Sequence, residues 1–503
     1  MENKKVLIRI QNLKQYFPIK KRSIFQRERL FVKANDGITL DIFEGETFGL
    51  VGESGCGKST LGRTILQLYN QTDGSTLFYG RSISEFAPKY VGEVIKNISE
   101  GFPKYLNEKK IHEATKVAAE KITDSVEKAA AEEKVINREK SLNNMYLNML
   151  RIAGGLLVHP DLKLVSSQLQ ELHQHLEKTA VINRKLRMAK KKLEAGELDE
   201  KLSAKVVVWK DELAKLMEFE KPIRVKLAEL HAQAKNQPHY AEFVAFEDNG
   251  IDLSRLTREE MRELRSDMQV IFQDPYSSLN PRLTVGQIIG EGLLAHDVFK
   301  DSNSEKYTEY ITKVMDQCGL APYFIHRYPH QFSGGQRQRI GIARALALNP
   351  KFIVCDEAVS ALDVSIQSQI INLLSDLKKE NNLTYLFITH DLSVVKYISD
   401  RIGVMYLGNM VELATSDQIF ENPLHPYTEA LLEAIPRTDV VRQELTILEG
   451  DIPSPIKPPK GCKFHTRCRY AFDKCKVVTP KWEEIEPGHF VACHLRSKDA
   501  DQA

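Results

Sequence analysis

The most constraining part of the sequence is residues 332–363, which read FSGGQRQRIGIARALALNPKFIVCDEAVSALD. A Ser-Gly-Gly-Gln loop precedes a predicted basic helix, and a predicted apolar strand that ends in Asp356 and Glu357 follows it closely. Far upstream, residues 52–60 read GESGCGKST and lie between another predicted strand and helix. Glycine-rich loops that open helices bind phosphates, so the two stretches together predict an α/β fold with a phosphate-binding site.

The composition of the chain narrows its class. With 503 residues, 42% of them hydrophobic, the chain is long enough for two or three domains with a sizeable core. The formal net charge of +2 gives no reason to expect nucleic-acid binding. No apolar run approaches the roughly 18 residues that a membrane helix needs, and the first residues lack the apolar core of a secretory signal. We therefore expect a cytosolic chain that meets a membrane only through a partner.

The sequence changes character along its length, which predicts four segments. Strand-like alternation fills the start of the chain, and strands alternate with helices again from Ile251, which predicts a mostly parallel sheet. Between them apolar residues recur every three or four positions, which predicts two to four long amphipathic helices, with a coiled-coil hairpin as one arrangement. Helix breaks are expected at Gly154–Gly155, His159–Pro160 and Gly196. The predicted segments are 1–81, 82–245, 246–435 and 436–503.

Residues 52–60, called here the phosphate loop, match the pattern G-x4-G-K-[ST] with Gly52, Gly57, Lys58 and Ser59. Glycines let backbone N–H groups turn inward around phosphate oxygens, and the following helix directs its positive end to the same place. Lys58 is expected to reach the β- and γ-phosphates of a nucleotide, and Ser59 to bind Mg²⁺. The other predicted cofactor-binding residues of the loop are Ser54, Gly55, Cys56 and Thr60.

Polar side chains follow three predicted strands, at the point where each strand ends. Asp356 is expected to hold Mg²⁺ through water, and Glu357 to polarise the attacking water as a general base. Gln273 is predicted to contact Mg²⁺ or that water, and His390 to bond the γ-phosphate. Because the carboxyl ends of parallel strands meet at one edge of a sheet, we expect these side chains to converge.

A second predicted anion site opens the basic helix, at Ser333, Gly334, Gly335 and Gln336. One such loop is enough to bind a triphosphate. The second anion site is therefore not needed for the nucleotide that the same domain binds. We therefore expect the second site to close over a nucleotide that another copy or a partner holds. Asp363 lies between the two sites in this interpretation, where it can signal across the interface.

These motifs resemble those of the ABC transporter ATPase family, over roughly residues 6–81 and 246–503. The resembling motifs are Walker A at 52–60, the Q-loop at Gln273, the signature at 332–336, Walker B at 352–357, the D-loop at 360–363 and the switch histidine at His390. The resemblance implies a RecA-like core with an antiparallel β layer and a helical signature subdomain, and ATP with Mg²⁺ as cofactors. It also implies an aromatic residue that stacks on adenine, with Phe17 favoured over Tyr16.

The segments FQDPYSSLNPRLTVGQII and NPLHPYTEALL narrow the resemblance to the oligopeptide/dipeptide importer ATPases, and residues 276–282 resemble the F-type subunit. This implies an ATPase that powers import of oligopeptides or dipeptides, as a peripheral subunit at the cytoplasmic face of the membrane. The implied partners are a D-type ATPase subunit in a heterodimer, two membrane permease subunits, and an extracytoplasmic peptide-binding protein that acts indirectly.

The predicted helical segment 82–245 departs from the family pattern, because it falls between Walker A and the Q-loop. In that region the family usually forms its small antiparallel β layer. A lineage-specific helical decoration is the favoured interpretation. The alternative is a docking arm for a cytosolic or membrane-surface partner.

Four of the seven cysteines cluster near the end of the chain, at Cys462, Cys468, Cys475 and Cys493. A disulfide framework is not expected in a reducing cytosol, and four thiolates suit either a tetrahedral Zn²⁺ or one [4Fe–4S] cluster. The absence of C-x2-C pairs argues against an ordinary zinc ribbon. The tail resembles the C-terminal extension of peptide-importer ATPases, some of which hold an iron–sulfur cluster. A cluster, zinc and a metal-free cap all stay open.

Two other functions stay open beside peptide import. A nickel or glutathione importer would use the same ATPase, because the ATPase does not touch the cargo. A non-transport ABC ATPase that acts on DNA also carries coiled coil, but there the coiled coil follows the Q-loop. Here the helical segment precedes Gln273, which favours a transporter, and no nucleic-acid partner is expected.

Overall fold

The computed structural model describes residues 4–21, 29–122, 125–196, 200–434 and 450–497. The predicted boundary between the third and fourth segments, at residue 435, lies outside these ranges. The strands of the described ranges are β1 (Val6–Pro18), β2 (Phe31–Phe43), β3 (Thr47–Val51), β4 (Asp73–Phe78), β5 (Ile251–Asp252), β6 (Met268–Ile271), β7 (Phe352–Asp356), β8 (Thr384–Ile388), β9 (Arg401–Tyr406), β10 (Asn409–Thr415), β11 (Glu483–Glu486) and β12 (His489–Val491).

Eight of these strands form a central sheet in the order β11-β12-β10-β9-β3-β8-β7-β6. Its larger part is parallel, because β9, β3, β8, β7 and β6 pair side by side in one direction. The strands β3, β7 and β8 are buried at every position, as expected for parallel strands that helices cover on both faces. The predicted α/β fold with a mostly parallel sheet is confirmed.

The second sheet is antiparallel and has the order β2-β1-β4-β5. β1 pairs with β2 on one side and with β4 on the other. β4 also pairs with the short β5, so that Leu77 lies opposite Asp252 and Phe78 opposite Ile251. The chain therefore leaves one strand of the β layer, runs through the predicted helical segment, and returns into the neighbouring strand.

The helices fall into three groups along the chain. After β3 comes α1 (Lys58–Ile65). Between β4 and β5 lie α2 (Ile83–Phe86), α3 (Lys89–Lys96), α4 (Ile98–Glu120), α5 (Ser125–Ala153), α6 (Leu162–Glu194), α7 (Glu200–Ala234) and α8 (Tyr240–Val244). After β5 lie α9 (Arg258–Leu264), α10 (Val285–Ala295), α11 (Glu305–Gln317), α12 (Gly334–Leu346), α13 (Val364–Asn381), α14 (Leu392–Ile398), α15 (Ser416–Glu421), α16 (Pro426–Glu433) and α17 (Asp473–Val477). In the described part of the chain, no helix is both long and apolar enough to cross a membrane.

The four long inserted helices pair as α4 with α5 and α6 with α7. Breaks occur at the expected positions: α5 ends before Gly154, α6 begins after Pro160, and α6 ends before Gly196, whose φ is +84°. On α7, the less exposed residues recur at alternating spacings of four and three, at Leu202, Val206, Trp209, Leu213, Leu216, Glu220, Ile223, Leu227, Leu230 and Ala234. This is heptad spacing, so α7 meets α6 along one stripe as in a coiled-coil hairpin.

The inserted helices share a hydrophobic core with the β layer. Buried side chains from α3 to α6 belong to the same apolar cluster as those of β1 and β4, including the fully buried Ile8 and Phe78. Phe102 and Tyr105 of α4 also pack their rings against Phe243 of α8. The insertion is therefore built onto the β layer rather than held away from it.

The described C-terminal tail, residues 450–497, packs onto the central sheet. Its hairpin β11–β12 extends the sheet through β12, where Val491 lies opposite Glu412 of β10. Phe464 is buried in an apolar cluster with Tyr406 and Tyr427. We did not predict this hairpin, because its sequence EEIEPGHFV is short and charged.

Candidate active site

The phosphate loop connects β3 to α1 and adopts a shape that requires glycine. Gly52 and Gly57 have φ angles of +148° and +106°, which residues with a Cβ rarely adopt. A Cβ on Gly57 would lie 2.1 Å from the carbonyl oxygen of Ala34, and one on Gly52 would lie 2.2 Å from that of Met405. Gly55, at φ +79°, faces open space. The loop is thus held between two backbone segments and is open on one side.

Lys58, the first residue of α1, lies inside the phosphate loop. It is 4% exposed, and its Nζ donates hydrogen bonds to the carbonyl oxygens of Gly52 at 2.7 Å and Glu53 at 3.1 Å. The Sγ of Cys56 lies 3.9 Å from the same nitrogen. Burial raises the pKa of the Cys56 thiol, although Lys58 opposes that shift. The two carbonyl groups hold the ammonium without neutralising it, so its charge remains available to an anion.

Asp356 ends β7, against which α1 packs. Its Oδ2 accepts a hydrogen bond from Nη2 of Arg63 at 3.1 Å, whereas its Oδ1 is buried without a hydrogen-bond partner. A buried carboxylate oxygen without a partner is costly, so this atom suits a ligand such as a metal-bound water. Ser59 precedes Arg63 by four residues on α1 and therefore faces the same side. Thr60 follows it, and both residues are half-buried.

Glu357 contacts two of the polar side chains that were predicted to lie at strand ends. Its Oε2 accepts a hydrogen bond from Nε2 of Gln273 at 2.7 Å and lies 3.6 Å from Nδ1 of His390. Its backbone has φ +49°, and its N–H donates to the carbonyl oxygen of Ile388 at 2.9 Å. Left-handed backbone at a residue other than glycine is strained, and such strain is common at functional sites. The structure thus brings Gln273, Glu357 and His390 together at one edge of the sheet.

The Ser-Gly-Gly-Gln segment opens α12, with Ser333 as its N-cap. The Oγ of Ser333 accepts from the backbone N–H of Gln336 at 3.4 Å, and Oε1 of Gln336 accepts from that of Ser333 at 3.2 Å. This capping box fixes the start of the helix. A Cβ on Gly335 would lie 2.4 Å from Cγ2 of Ile366, so glycine lets α13 pass close to the segment.

Gly334 and Asp363 lie near each other on the same surface. A Cβ on Gly334 would lie 3.5 Å from Cδ2 of Leu362, and the next residue, Asp363, is the exposed N-cap of α13. Within the described ranges, no hydrogen bond or ion pair joins residues 333–336 to the phosphate loop. In the described part of this chain, the two predicted anion sites are therefore not bonded to each other.

The two aromatic candidates at the end of β1 have different surroundings. Phe17 is half-buried and packs edge-on against Tyr69, with ring centroids 5.3 Å apart. Tyr16 donates a hydrogen bond to Asp36, and Nζ of Lys33 lies 5.6 Å from the centre of its ring. Burial and the bond to Asp36 raise the pKa of the Tyr16 hydroxyl. These contacts do not decide between the two rings, so adenine stacking on Phe17 stays a prediction.

Three contacts of this site are not among those that the sequence predicts. The first is the ion pair between Arg63 and Asp356. The spacing of Arg63 from Ser59 on α1 is the sequence signal that would have revealed it. The other two are the hydrogen bond from Nδ2 of Asn35 to the carbonyl oxygen of Gly57 and the ion pair between Glu53 and Arg467. They join residues 22 and 414 positions apart, and no local pattern predicts contacts of that kind.

The four C-terminal cysteines line one small cavity, with a volume of about 10 Å³. Burial raises the pKa of the Cys462 thiol to about 12 and that of Cys493 to about 11. Cys468 and Cys475 complete the set. Among the residues that the structure describes, no three His, Cys, Asp or Glu side chains are arranged to hold a metal ion. The predicted iron–sulfur or zinc site therefore gains no support from this arrangement.

Comparison with known proteins gives matches along most of the chain. The family model described as "ABC transporter" matches residues 35–213 and 236–360, which is more than half of the chain. A second model, described as "Oligopeptide/dipeptide transporter, C-terminal region", matches residues 411–475. A solved structure of cbiO1 from Clostridium perfringens is 15% identical and aligns over 83% of this chain and 92% of that chain, with a TM-score of 0.42. A similarity that low does not bear on the fold.

Two curated relatives come from Bacillus subtilis (strain 168). The chain is 36% identical over 498 residues to the oligopeptide transport ATP-binding protein AppF, which covers 98% of this chain and 99% of that protein. It is 53% identical over 249 residues to the putative oligopeptide transport ATP-binding protein YkfD, which covers 49% of this chain and 75% of that protein. The phosphate loop, the acidic strand end and the α12 segment are the features that the resemblance named. The chain therefore belongs to the ABC transporter family, among its oligopeptide transport ATP-binding proteins.

Proposed function

We propose that this protein binds and hydrolyses ATP and so powers the import of oligopeptides or dipeptides through a membrane transporter. The observation that carries this proposal is the convergence of Gln273 and His390 on Glu357, beside the unpaired Oδ1 of Asp356. A nucleotide held by the phosphate loop would meet a carboxylate base at this point. The cargo class is supported by the names of the relatives.

In the proposed site, the phosphate loop cradles the triphosphate with backbone N–H groups of Gly52 to Thr60, and Lys58 supplies positive charge to the β- and γ-phosphates. The Ser59 hydroxyl would bind Mg²⁺ directly. The carboxylate of Asp356 would hold the ion through a metal-bound water that donates a hydrogen bond to Oδ1. The ion neutralises negative charge on the phosphates when bound. The buried, unpaired Oδ1 fits this role because it lacks any other partner.

Glu357 acts as the general base in this proposal, and its carboxylate accepts the proton of the attacking water. The hydrogen bond from Gln273 to Oε2 links this side chain directly to the base. When nucleotide binds, Gln273 would contact Mg²⁺ or the attacking water and so report the state of the γ-phosphate to the base. His390 would bond the γ-phosphate. Nucleotide binding and activation of the base are coupled in this way.

The working unit that we propose is a heterodimer with a D-type ATPase subunit. In the described part of the chain, residues 333–336 have no hydrogen bond or ion pair with the phosphate loop. Ser333, Gly334 and Gln336 are exposed or half-buried. These observations support a role at the nucleotide of the partner. Gly335 keeps the segment close to α13, so that Asp363 lies at the same interface.

The remaining partners follow from family membership. The dimer would act on two membrane permease subunits and sit as a peripheral complex at the cytoplasmic face of the membrane. An extracytoplasmic peptide-binding protein would deliver the cargo. We also propose the four segments 1–81, 82–245, 246–435 and 436–503 as the domain organisation, with the helical segment as a decoration of the β layer. Its shared core with Ile8 and Phe78 supports a decoration over a separate docking arm.

For the cysteine tail we propose a [4Fe–4S] cluster rather than zinc. The support for this proposal is the number of thiols that line the cavity, because four thiolates hold one such cluster. Purification without oxygen tests this, with iron, acid-labile sulfide and zinc measured per chain. Iron and sulfide near four per chain support the cluster. Zinc alone, or no metal, contradicts it.

The proposed transport function is tested with the whole complex in lipid vesicles. The chain is purified together with its partner ATPase and permease subunits. Uptake of a labelled peptide mixture is then measured in the presence of the extracytoplasmic peptide-binding protein, the receptor. We expect uptake that requires ATP and is lost in a Lys58→Ala variant, while Lys379→Ala, an exposed lysine of α13, keeps it. ATP-independent uptake, or ATP hydrolysis that DNA stimulates and peptide receptor does not, contradicts the proposal.

A further inference from the structure

The C-terminal tail binds directly to the phosphate loop. Arg467 of the tail donates two hydrogen bonds to the Glu53 carboxylate, from Nη1 to Oε2 at 2.7 Å and from Nη2 to Oε1 at 3.0 Å. The Arg467 side chain is 4% exposed and that of Glu53 is 24% exposed. Such a two-pronged pair fixes orientation as well as distance. The hydrogen bonds to Glu53 are also the main cause that raises the pKa of Arg467.

Glu53 in turn contacts the lysine that is expected to bind phosphate. Its carbonyl oxygen accepts the hydrogen bond from Nζ of Lys58 at 3.1 Å. Its backbone N–H donates to the hydroxyl of Tyr427 at 2.8 Å. The position of Glu53 therefore depends on Arg467 and Tyr427, both distant in sequence, and the position of the Lys58 ammonium depends on Glu53.

The tail also contacts the other side of the site. Nζ of Lys463 donates to Oδ2 of Asp36 at 3.0 Å, and Asp36 accepts the hydrogen bond from Tyr16. The backbone N–H of Lys33 donates to the carbonyl oxygen of Pro455 at 3.2 Å. These contacts hold the tail against β2, so the segment that carries Arg467 is fixed in position.

We propose that Arg467 is a positioning residue for ATP, acting through Glu53 on the phosphate loop and Lys58. This inference rests on the proposed ATPase function. Two physical effects contribute. The ion pair restrains the loop in the shape that holds the Lys58 ammonium, and it neutralises the Glu53 carboxylate. Without the guanidinium, that carboxylate would repel the triphosphate from a position within the loop itself.

The test is a double-mutant cycle in the complete complex, with the KM for MgATP and kcat measured for wild type, Arg467→Ala, Glu53→Ala and the double variant. We expect Arg467→Ala to raise the KM about tenfold with kcat within about twofold, because the lost interaction favours binding rather than the chemical step. The KM of the double variant should not exceed that of Arg467→Ala, because the first substitution already removes the ion pair. Arg467→Lys should fall between, since lysine keeps the charge but not the two-pronged geometry.

Arg469→Ala is the matched control. Arg469 lies two residues further along the same tail, is more exposed, and pairs with Glu433 and Glu429 of α16 instead. It should leave the KM within about twofold of wild type. The melting temperatures of all variants separate loss of folding from loss of positioning. If Arg467→Ala has a much lower melting temperature than wild type, the KM of Arg467→Lys tests the inference instead. An unchanged KM in a folded Arg467 variant, or additive effects in the cycle, overturns the inference. A wild-type complex without ATPase activity overturns the proposed function itself.

Discussion

Arg63 and Asp356 form an ion pair across 3.1 Å between α1 and β7, with the Asp356 side chain 1% exposed and that of Arg63 37% exposed. A hydrogen bond with Tyr69 is the largest cause that raises the pKa of Arg63, and Asp356 contributes to the same shift. Tyr69 also packs against Phe17. A chain of contacts thus runs from the residue predicted to stack on adenine to the carboxylate predicted to hold Mg²⁺.

Arg63→Ala should destabilise the nucleotide-free protein more than the MgATP-bound protein. The substitution leaves a buried carboxylate without its partner, which costs about 2 kcal/mol of unfolding free energy for a pair that is partly exposed. If Asp356 interacts with the metal in the bound state, part of that loss is recovered. The rise in melting temperature on adding MgATP should therefore be larger in the variant than in wild type.

Arg401→Ala is the control for this measurement. Arg401 pairs with the buried Glu46 at 3.2 Å, and Glu46 lies just before β3 and away from the phosphate loop. Its loss should lower the melting temperature but leave the MgATP-induced rise equal to that of wild type. An equal rise in Arg63→Ala as well would show that the metal does not offset the loss of Arg63 at Asp356.

The edge of the sheet that carries the chemistry could be predicted from the sequence. Gln273, Asp356, Glu357 and His390 follow apolar strands, and the carboxyl ends of parallel strands converge wherever such a sheet forms. The helices of the insertion could be predicted too, because their apolar spacing is local information. Their packing could not be, since an apolar stripe does not specify its partner. Phe102 therefore gave no sign that it shares a core with β1.

The pair formed by Glu53 and Arg467 was beyond sequence analysis for a related reason. It exists only because the tail folds back onto the central sheet through β12, and that hairpin has no strong strand pattern. The strained backbone of Glu357 was also hidden, because glutamate gives no sequence signal for positive φ. Contacts between distant segments and backbone strain both depend on the assembled fold.

Gly57→Ala should abolish ATP binding, whereas Gly55→Ala should only weaken it. Both residues have positive φ, so alanine is strained at either position by about 1 kcal/mol, which corresponds to about fivefold in affinity. At Gly57, however, the new Cβ would also lie 2.1 Å from the carbonyl oxygen of Ala34, while at Gly55 it meets nothing. Titration with a fluorescent ATP analogue measures both. Equal affinities would mean that the loop does not need its contact with β2.

His173 should make the protein less stable as the pH falls. It is 5% exposed, both its ring nitrogens are buried without a hydrogen-bond partner, and burial lowers its pKa from 6.5, against the opposing effect of Glu177. Glu260 acts in the same direction as Glu177, and Lys96 against it. Below pH 6.5 the unfolded chain therefore binds a proton that the folded chain does not, and stability decreases as the pH falls further.

The His173→Leu variant tests this effect. Leucine removes both nitrogens that lack a hydrogen bond, and with them the difference in bound protons. The variant should therefore gain roughly 1 kcal/mol of unfolding free energy at acid pH and show a flatter decline in melting temperature between about pH 7.5 and about pH 5.5. His326→Leu, at an exposed position, should follow the wild-type curve. Parallel curves for His173→Leu and wild type would mean that another group causes the acid sensitivity.

Glu357→Gln should bind ATP as tightly as wild type but turn it over about 100-fold more slowly or worse, because glutamine cannot accept a proton from the attacking water. The substitution keeps the shape of the side chain and an oxygen that can accept the hydrogen bond from Gln273, so the geometry of the site is retained. Phosphate release and nucleotide affinity are measured together, with Glu380→Gln, an exposed residue of α13, as the matched control. We expect the control to keep normal turnover. Near-normal turnover in Glu357→Gln would remove Glu357 as the base, and the hydrogen bond from Gln273 would then be structural.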